Sequence, residues 1–94
     1  MFDFRLNCAT DYGDDRIPRG MFSENFYNHS DDEAVREAEE ILERLRLIYP
    51  HDARRGSGRI VSAKLYKWDW EKKEWVLLRT LYEDPRETAR MYPL

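Results

Sequence analysis

A single cysteine, Cys8, stands in this chain of 94 residues. It cannot close an internal disulfide, so nothing in the sequence calls for an oxidising compartment. No stretch approaches the roughly 20 apolar residues that cross a bilayer as a helix. The opening M-F-D-F-R-L-N lacks the basic region and apolar run of a secretory signal. The expectation is a cytoplasmic protein without membrane association.

The motifs of the common chemistries are missing as well. There is no H-E-x-x-H, no paired C-x-x-C, no P-loop and no G-x-G-x-x-G. The two histidines, His29 and His51, flank a predicted helix that separates them by roughly 30 Å at about 1.5 Å per residue. At that distance they cannot share one metal or one substrate. Asp11, Asp14 and Asp15 cluster, but without the closing Glu of a calcium loop. Cys8 falls on the apolar face of a predicted strand, where a thiol packs as a small hydrophobe. No catalytic residue, metal or cofactor is expected.

What is present is a single small domain near the lower size limit for one core, with room for about one helix on one small sheet. Aromatic residues make up 14% of it, which excludes a wholly disordered chain even though 37% of its residues are charged. The net charge of −3 hides an asymmetry. Residues 1–49 hold twelve acids and six bases, and residues 50–94 hold seven acids and ten bases. Such a layout can steer a partner or orient self-association.

Residues 2–10 alternate Phe2, Phe4, Leu6 and Cys8 with Asp3, Arg5, Asn7 and Ala9, the period of a strand with one apolar face. Residues 11–29 are turn-rich and then aromatic. They hold either a short strand around Phe22 to Tyr27 or a functional loop, and a strand would make the sheet four-stranded. Residues 31–49 form a helix. Ser30 caps it and Glu33 completes an S-x-x-E box. Ala34, Val35, Ala38, Ile41, Leu42, Leu45, Ile48 and Tyr49 form its apolar stripe, and Pro50 ends it. Residues 50–59 are a basic loop carrying Arg54, Arg55 and Arg59. Asp84, Pro85 and Glu87 start a short helix over 84–92.

The most informative segment is the hairpin Ile60 to Tyr82. Pairing Trp68 with Trp75 sets Tyr66 opposite Leu77 and Leu65 opposite Leu78, with Glu71 and Lys72 at the tip. One face then carries Val61, Ala63, Leu65, Val76 and Leu78. The other carries Tyr66, Trp68, Trp70, Trp75, Leu77 and Leu81. One helix covers one sheet face, so the second face would show water an aromatic patch of the kind that marks an interface. Trp, Tyr and Arg dominate binding hot spots, and Tyr66, Trp68, Trp70, Trp75, Leu77 and Arg79 are the expected partner-binding set. The acidic helix face (Asp32, Glu39, Glu40, Glu43) and the basic loop (Arg54, Arg55, Arg59) are the expected electrostatic contacts.

Three function classes follow. The first is a non-catalytic protein-binding module, either for a separate protein or as a homodimer. The second is a single-strand nucleic-acid binder, in which the basic loop holds phosphates and Tyr66 and Trp68 stack bases. The acidic balance of the chain opposes it. The third is an antitoxin-like or dimeric regulator. The segments F-D-F-R-L-N-C, S-D-D-E-A-V-R-E-A-E-E-I-L and L-Y-K-W-D-W-E-K-K-E-W-V-L-L together resemble the β-α-β-β layout of small phage-encoded inhibitors of the anti-CRISPR type. The resemblance is one of architecture and carries no site residue. It implies an α+β domain of β-α-β-β order with one amphipathic helix on an antiparallel-rich sheet, acting by stoichiometric binding to a nucleic-acid-handling complex.

Overall fold

A computed structural model describes residues 1–11, 20–48 and 59–85. Four strands and one helix run in the order β1 (Phe2–Asp11), β2 (Gly20–Asn28), α1 (Asp31–Ile48), β3 (Arg59–Asp69) and β4 (Glu74–Glu83). They form one antiparallel sheet of order β2-β1-β3-β4. The chain is thus an α+β domain, of β-β-α-β-β rather than β-α-β-β order. The aromatic segment after residue 20 is a full edge strand, not a functional loop. Phe22 and Phe26 take part in the helix-side packing, so this strand also widens the core. Strands β2 and β3 run parallel to each other on either side of β1, and α1 makes the crossover that such a pair requires. The helix expected over 84–92 lies beyond Pro85, outside the described residues, and so do Tyr49, Pro50 and most of the basic loop.

Helix α1 begins where the capping signals place it. The backbone N–H of Glu33 donates to the Ser30 hydroxyl at 3.2 Å, and the N–H of Ala34 donates to the Ser30 carbonyl at 3.0 Å. Asp31, Asp32 and Glu33 fill the first turn, where the helix dipole favours negative charge. Ala34, Ala38, Ile41 and Leu42 are buried against Phe4, Leu6 and Cys8 of β1 and Ile60, Ala63 and Leu65 of β3. Burying a Leu or Phe side chain stabilises by about 1.5–3 kcal/mol, so the two central strands and this stripe hold the fold.

The core is closed at the start of α1 by Lys67. It lies opposite Phe4 and therefore on the helix side of β3. Its ammonium donates to Asp31 Oδ1 at 2.8 Å and stands 4.2 Å from the ring centre of Phe2. A lysine at an otherwise apolar register is thus anchored to the first helical turn.

Three register shifts decide which side chains reach the core. Between Ala9 and Thr10, β3 holds one residue more than β1, and Ile60 and Val61 are both buried. In β4 the extra residues are Leu78 and Leu81. A bulge sets two residues opposite one and turns both toward one face. Leu78, Leu81 and Tyr82 accordingly all pack on the core. Two expectations from strict alternation are corrected by this. Leu65 lies opposite Arg79, not Leu78, and Leu81 belongs to the helix side, not to the aromatic face.

Candidate functional site

The sheet face away from α1 is covered by no described element, and its composition can be followed row by row from the register. One row across all four strands is Asn25, Arg5, Tyr66, Leu77. The next toward the far end is Ser23, Asn7, Lys64, Thr80, and beyond it lie Met21, Ala9, Ser62 and Glu83. At the opposite end, Tyr27 pairs with Asp3 and Trp68 with Trp75. One half of the open face is therefore mostly polar, apart from the exposed Met21 on the edge strand, and the other half is aromatic.

The aromatic half is built on the hairpin turn. The ladder between β3 and β4 closes at Asp69 and Glu74, leaving Trp70 to Lys73 as a four-residue loop. Asp69 Oδ1 accepts from the backbone N–H groups of Glu71 at 2.9 Å and Lys72 at 3.1 Å. Lys73 takes the left-handed conformation, φ 53°, that brings the chain back into β4. This turn sets Trp70 beside Trp68. Their ring centres are 5.9 Å apart at 84°, and those of Trp68 and Trp75 are 5.2 Å apart at 65°. Both are edge-to-face contacts, the geometry aromatic quadrupoles favour. The Arg5 guanidinium lies 4.3 Å from the Trp75 ring centre, and its Nε donates to Asn25 Oδ1 at 2.9 Å. The Ser23 hydroxyl donates to Asn7 Oδ1 at 2.6 Å in the adjoining row.

Two hollows border this cluster. One, of about 250 Å³, is lined by Asp3, Asn25, Tyr27, Trp68, Trp70 and Trp75 with Phe4 and Phe26. The other, of about 400 Å³, includes Phe2, Lys67, Trp70, Val76 and Leu78 and opens around the hairpin tip. Trp68 lines both, and its indole Nε1 is buried with no acceptor among the described residues. Trp70 is 69% exposed and Leu77 49%.

Tyr66, Trp68, Trp70, Trp75 and Leu77, expected together, do share this region. Arg79 does not join them, because it lies opposite Leu65, a residue of the helix-side face. Asp32, Glu39, Glu40 and Glu43 are exposed on α1, which packs on the other side of the sheet. The acidic and aromatic surfaces therefore point to opposite sides of the domain and do not form one site. Arg59 begins β3 opposite Asp11, while Arg54 and Arg55 fall outside the described residues. Asp3, Arg5 and Tyr27 belong to the aromatic half but were not among the expected contacts. The alternation of β1 already put Asp3 and Arg5 on the face opposite Leu6. What was missing was the knowledge that β1 sits beside β3, with β2 paired on its other edge.

Among the described residues no three His, Cys, Asp or Glu side chains are grouped to hold a metal ion. The Cys8 thiol is buried in the core. Loss of hydration, aided by the Glu24 carboxylate, pushes it up to about 11, so it stays protonated and unreactive near neutral pH. Among the described residues no helix is long and apolar enough to cross a membrane. No protein family, curated protein or solved structure matches the chain.

Proposed function

We propose that this protein is a non-catalytic, cytoplasmic protein-binding module whose contact surface is the aromatic half of the open sheet face. The observation that supports this is the cluster of Trp68, Trp70 and Trp75 with Tyr66 and Leu77 on a face no described element covers. Rigid aromatic side chains held by mutual edge contacts lose little freedom on binding and supply large buried area. Action as a stoichiometric inhibitor of a nucleic-acid-handling complex is the extension of this reading that the anti-CRISPR-type layout suggests, although strand β2 departs from that layout.

Single-strand binding has less support. The rows of the open face carry Arg5 and Lys64 against Asp3 and Glu83, with Arg59 opposite Asp11 at the far end, and Arg5 is already stacked on Trp75. Phosphate binding draws its affinity from several such charges.

The test is affinity capture of the tagged full chain from lysate of its source cells, with and without nuclease, for wild type and for Trp70→Ala/Leu77→Ala. Both positions are about half exposed or more, so the variant should keep its far-UV circular dichroism. The expected result is a protein retained through nuclease treatment by wild type and lost by the variant. Capture that disappears with nuclease, or that the variant leaves unchanged, overturns the reading.

A further inference from the structure

We propose that the hollow between Asp3, Tyr27, Trp68, Trp70 and Trp75 receives the side-chain ammonium of a partner lysine, most tightly when that ammonium is methylated. The proposal rests on the protein-binding reading above and adds the chemistry of the group that is bound.

Three observations carry it. First, the lining is aromatic on several sides. Trp70 and Trp75 stand at 84° and 65° to Trp68, and Tyr27 closes the β2 side. Ring faces carry negative potential and attract cations within about 6 Å, and walls of differing orientation suit a rounded charge. A flat guanidinium is instead taken on one ring, as Arg5 is taken by Trp75.

Second, Asp3 is the single charged residue lining the hollow. It has no ion-pair or hydrogen-bond partner among the described residues, whereas the neighbouring Arg5 is engaged by Trp75 and Asn25. The hollow therefore pairs one unmatched carboxylate with four ring systems, and the complementary ligand is a compact cation with an apolar shell. Methylation favours binding because it replaces strongly hydrated N–H groups with methyls that the rings can cover.

Third, the hollow is small: at about 250 Å³ it takes the end of one long side chain but not a folded segment.

The test follows the three tryptophan indole N–H signals in ¹H–¹⁵N spectra of the full chain during titration with capped single residues: N-acetyl-trimethyllysine methylamide, N-acetyl-lysine methylamide, and the neutral analogue in which carbon replaces the ammonium nitrogen. The expected result is saturable movement of the Trp68, Trp70 and Trp75 signals. Affinity should fall from trimethyllysine to lysine, with the neutral analogue at least fivefold weaker than trimethyllysine. Asp3→Asn and Trp70→Ala, both at surface positions, should each weaken trimethyllysine binding by about fivefold.

A neutral analogue that binds as well as trimethyllysine, or indole signals that none of the probes moves, overturns the proposal. So does tighter competition at these signals by a single-stranded oligonucleotide. Because the titration needs no partner protein, this inference can fail while Trp70-dependent, nuclease-resistant capture still holds, and the two readings are judged separately.

Discussion

Cys8 makes the stability of this domain sensitive to alkali. Its side chain is wholly buried beneath α1, in the strand between β2 and β3. Burial, and to a lesser degree the Glu24 carboxylate, raises the thiol from 9.0 to about 11. Between those two values the unfolded chain releases a proton that the folded chain retains, so ionisation draws the equilibrium toward the unfolded state. The stabilising contribution of the protonated thiol is whole below pH 9 and is lost as pH rises toward 11. The loss is on the order of 1 kcal/mol at pH 10 and on the order of 2 kcal/mol at pH 11. Urea unfolding of wild type and Cys8→Ala at pH 8, 9 and 10 measures it directly. The substitution has its own cost from the smaller side chain, nearly constant with pH, and lysine and tyrosine titrations are common to both proteins. The stability gap between the two should therefore narrow by about 1 kcal/mol from pH 8 to pH 10. A gap that stays constant would refute the burial argument.

Two further outcomes test the local geometry. Leu81→Ala should destabilise by about 1.5–2 kcal/mol, because the β4 bulge packs Leu81 on the core, while Leu77→Ala on the open face should cost under about 1 kcal/mol. Thermal unfolding separates them, at roughly 4–8 °C per kcal/mol for a domain of this size, and equal costs would mean the register shift is wrong. Lys73→Gly should raise stability by about 0.5–1 kcal/mol by relieving a left-handed conformation that disfavours a β-carbon, read as a higher urea midpoint.

The elements legible in the sequence were those with strong local signals. The period of two in β1, the cap of α1 and its stripe from Ala34 to Leu45, and the Trp68–Trp75 pairing of the hairpin stand as their residues imply. Strand β2 was only half legible. Its sequence G-M-F-S-E-N-F-Y-N spaces Phe22 and Phe26 four apart, with Glu24 between them on the same face, so the alternation of an inward apolar row is broken at its centre. An edge strand tolerates that break, because Glu24 is exposed to water there. The bulges were not legible at all. Val61, Leu78 and Leu81 carry no local signature of an inserted residue; alternation alone puts Val61 and Leu78 on the inner face but sends Leu81 to the aromatic one, and the demand of the core for apolar side chains explains its inward turn. Lys67 illustrates the same limit: alternation places a charge toward the helix, and only the three-dimensional proximity of Asp31 and Phe2 accounts for it.

The open face supplies its own internal control for the functional argument. A sheet face that meets only water has no packing requirement for tryptophan, and its far half holds no aromatic residue: it is built from Ser23, Asn7, Lys64, Thr80, Ser62, Ala9 and Glu83, with Met21 as its one large apolar side chain. Cross-strand aromatic pairs do stabilise a hairpin, by about 0.2–1 kcal/mol each, so Trp68 opposite Trp75 is explained in part by folding alone. That account does not extend to Trp70, which lies in the turn beyond the ladder and remains 69% exposed. Nor does it extend to Tyr27, on the far edge strand and 67% exposed, or to an indole N–H buried without an acceptor. Trp70 does gain an edge contact with Trp68, but the exposure of Trp70 and Tyr27 and the unpaired indole N–H bring the isolated domain no burial or hydrogen bond in return. Trp70, Tyr27 and Trp68 all line the hollow that holds Asp3, and a cationic ligand seated there would cover the exposed rings.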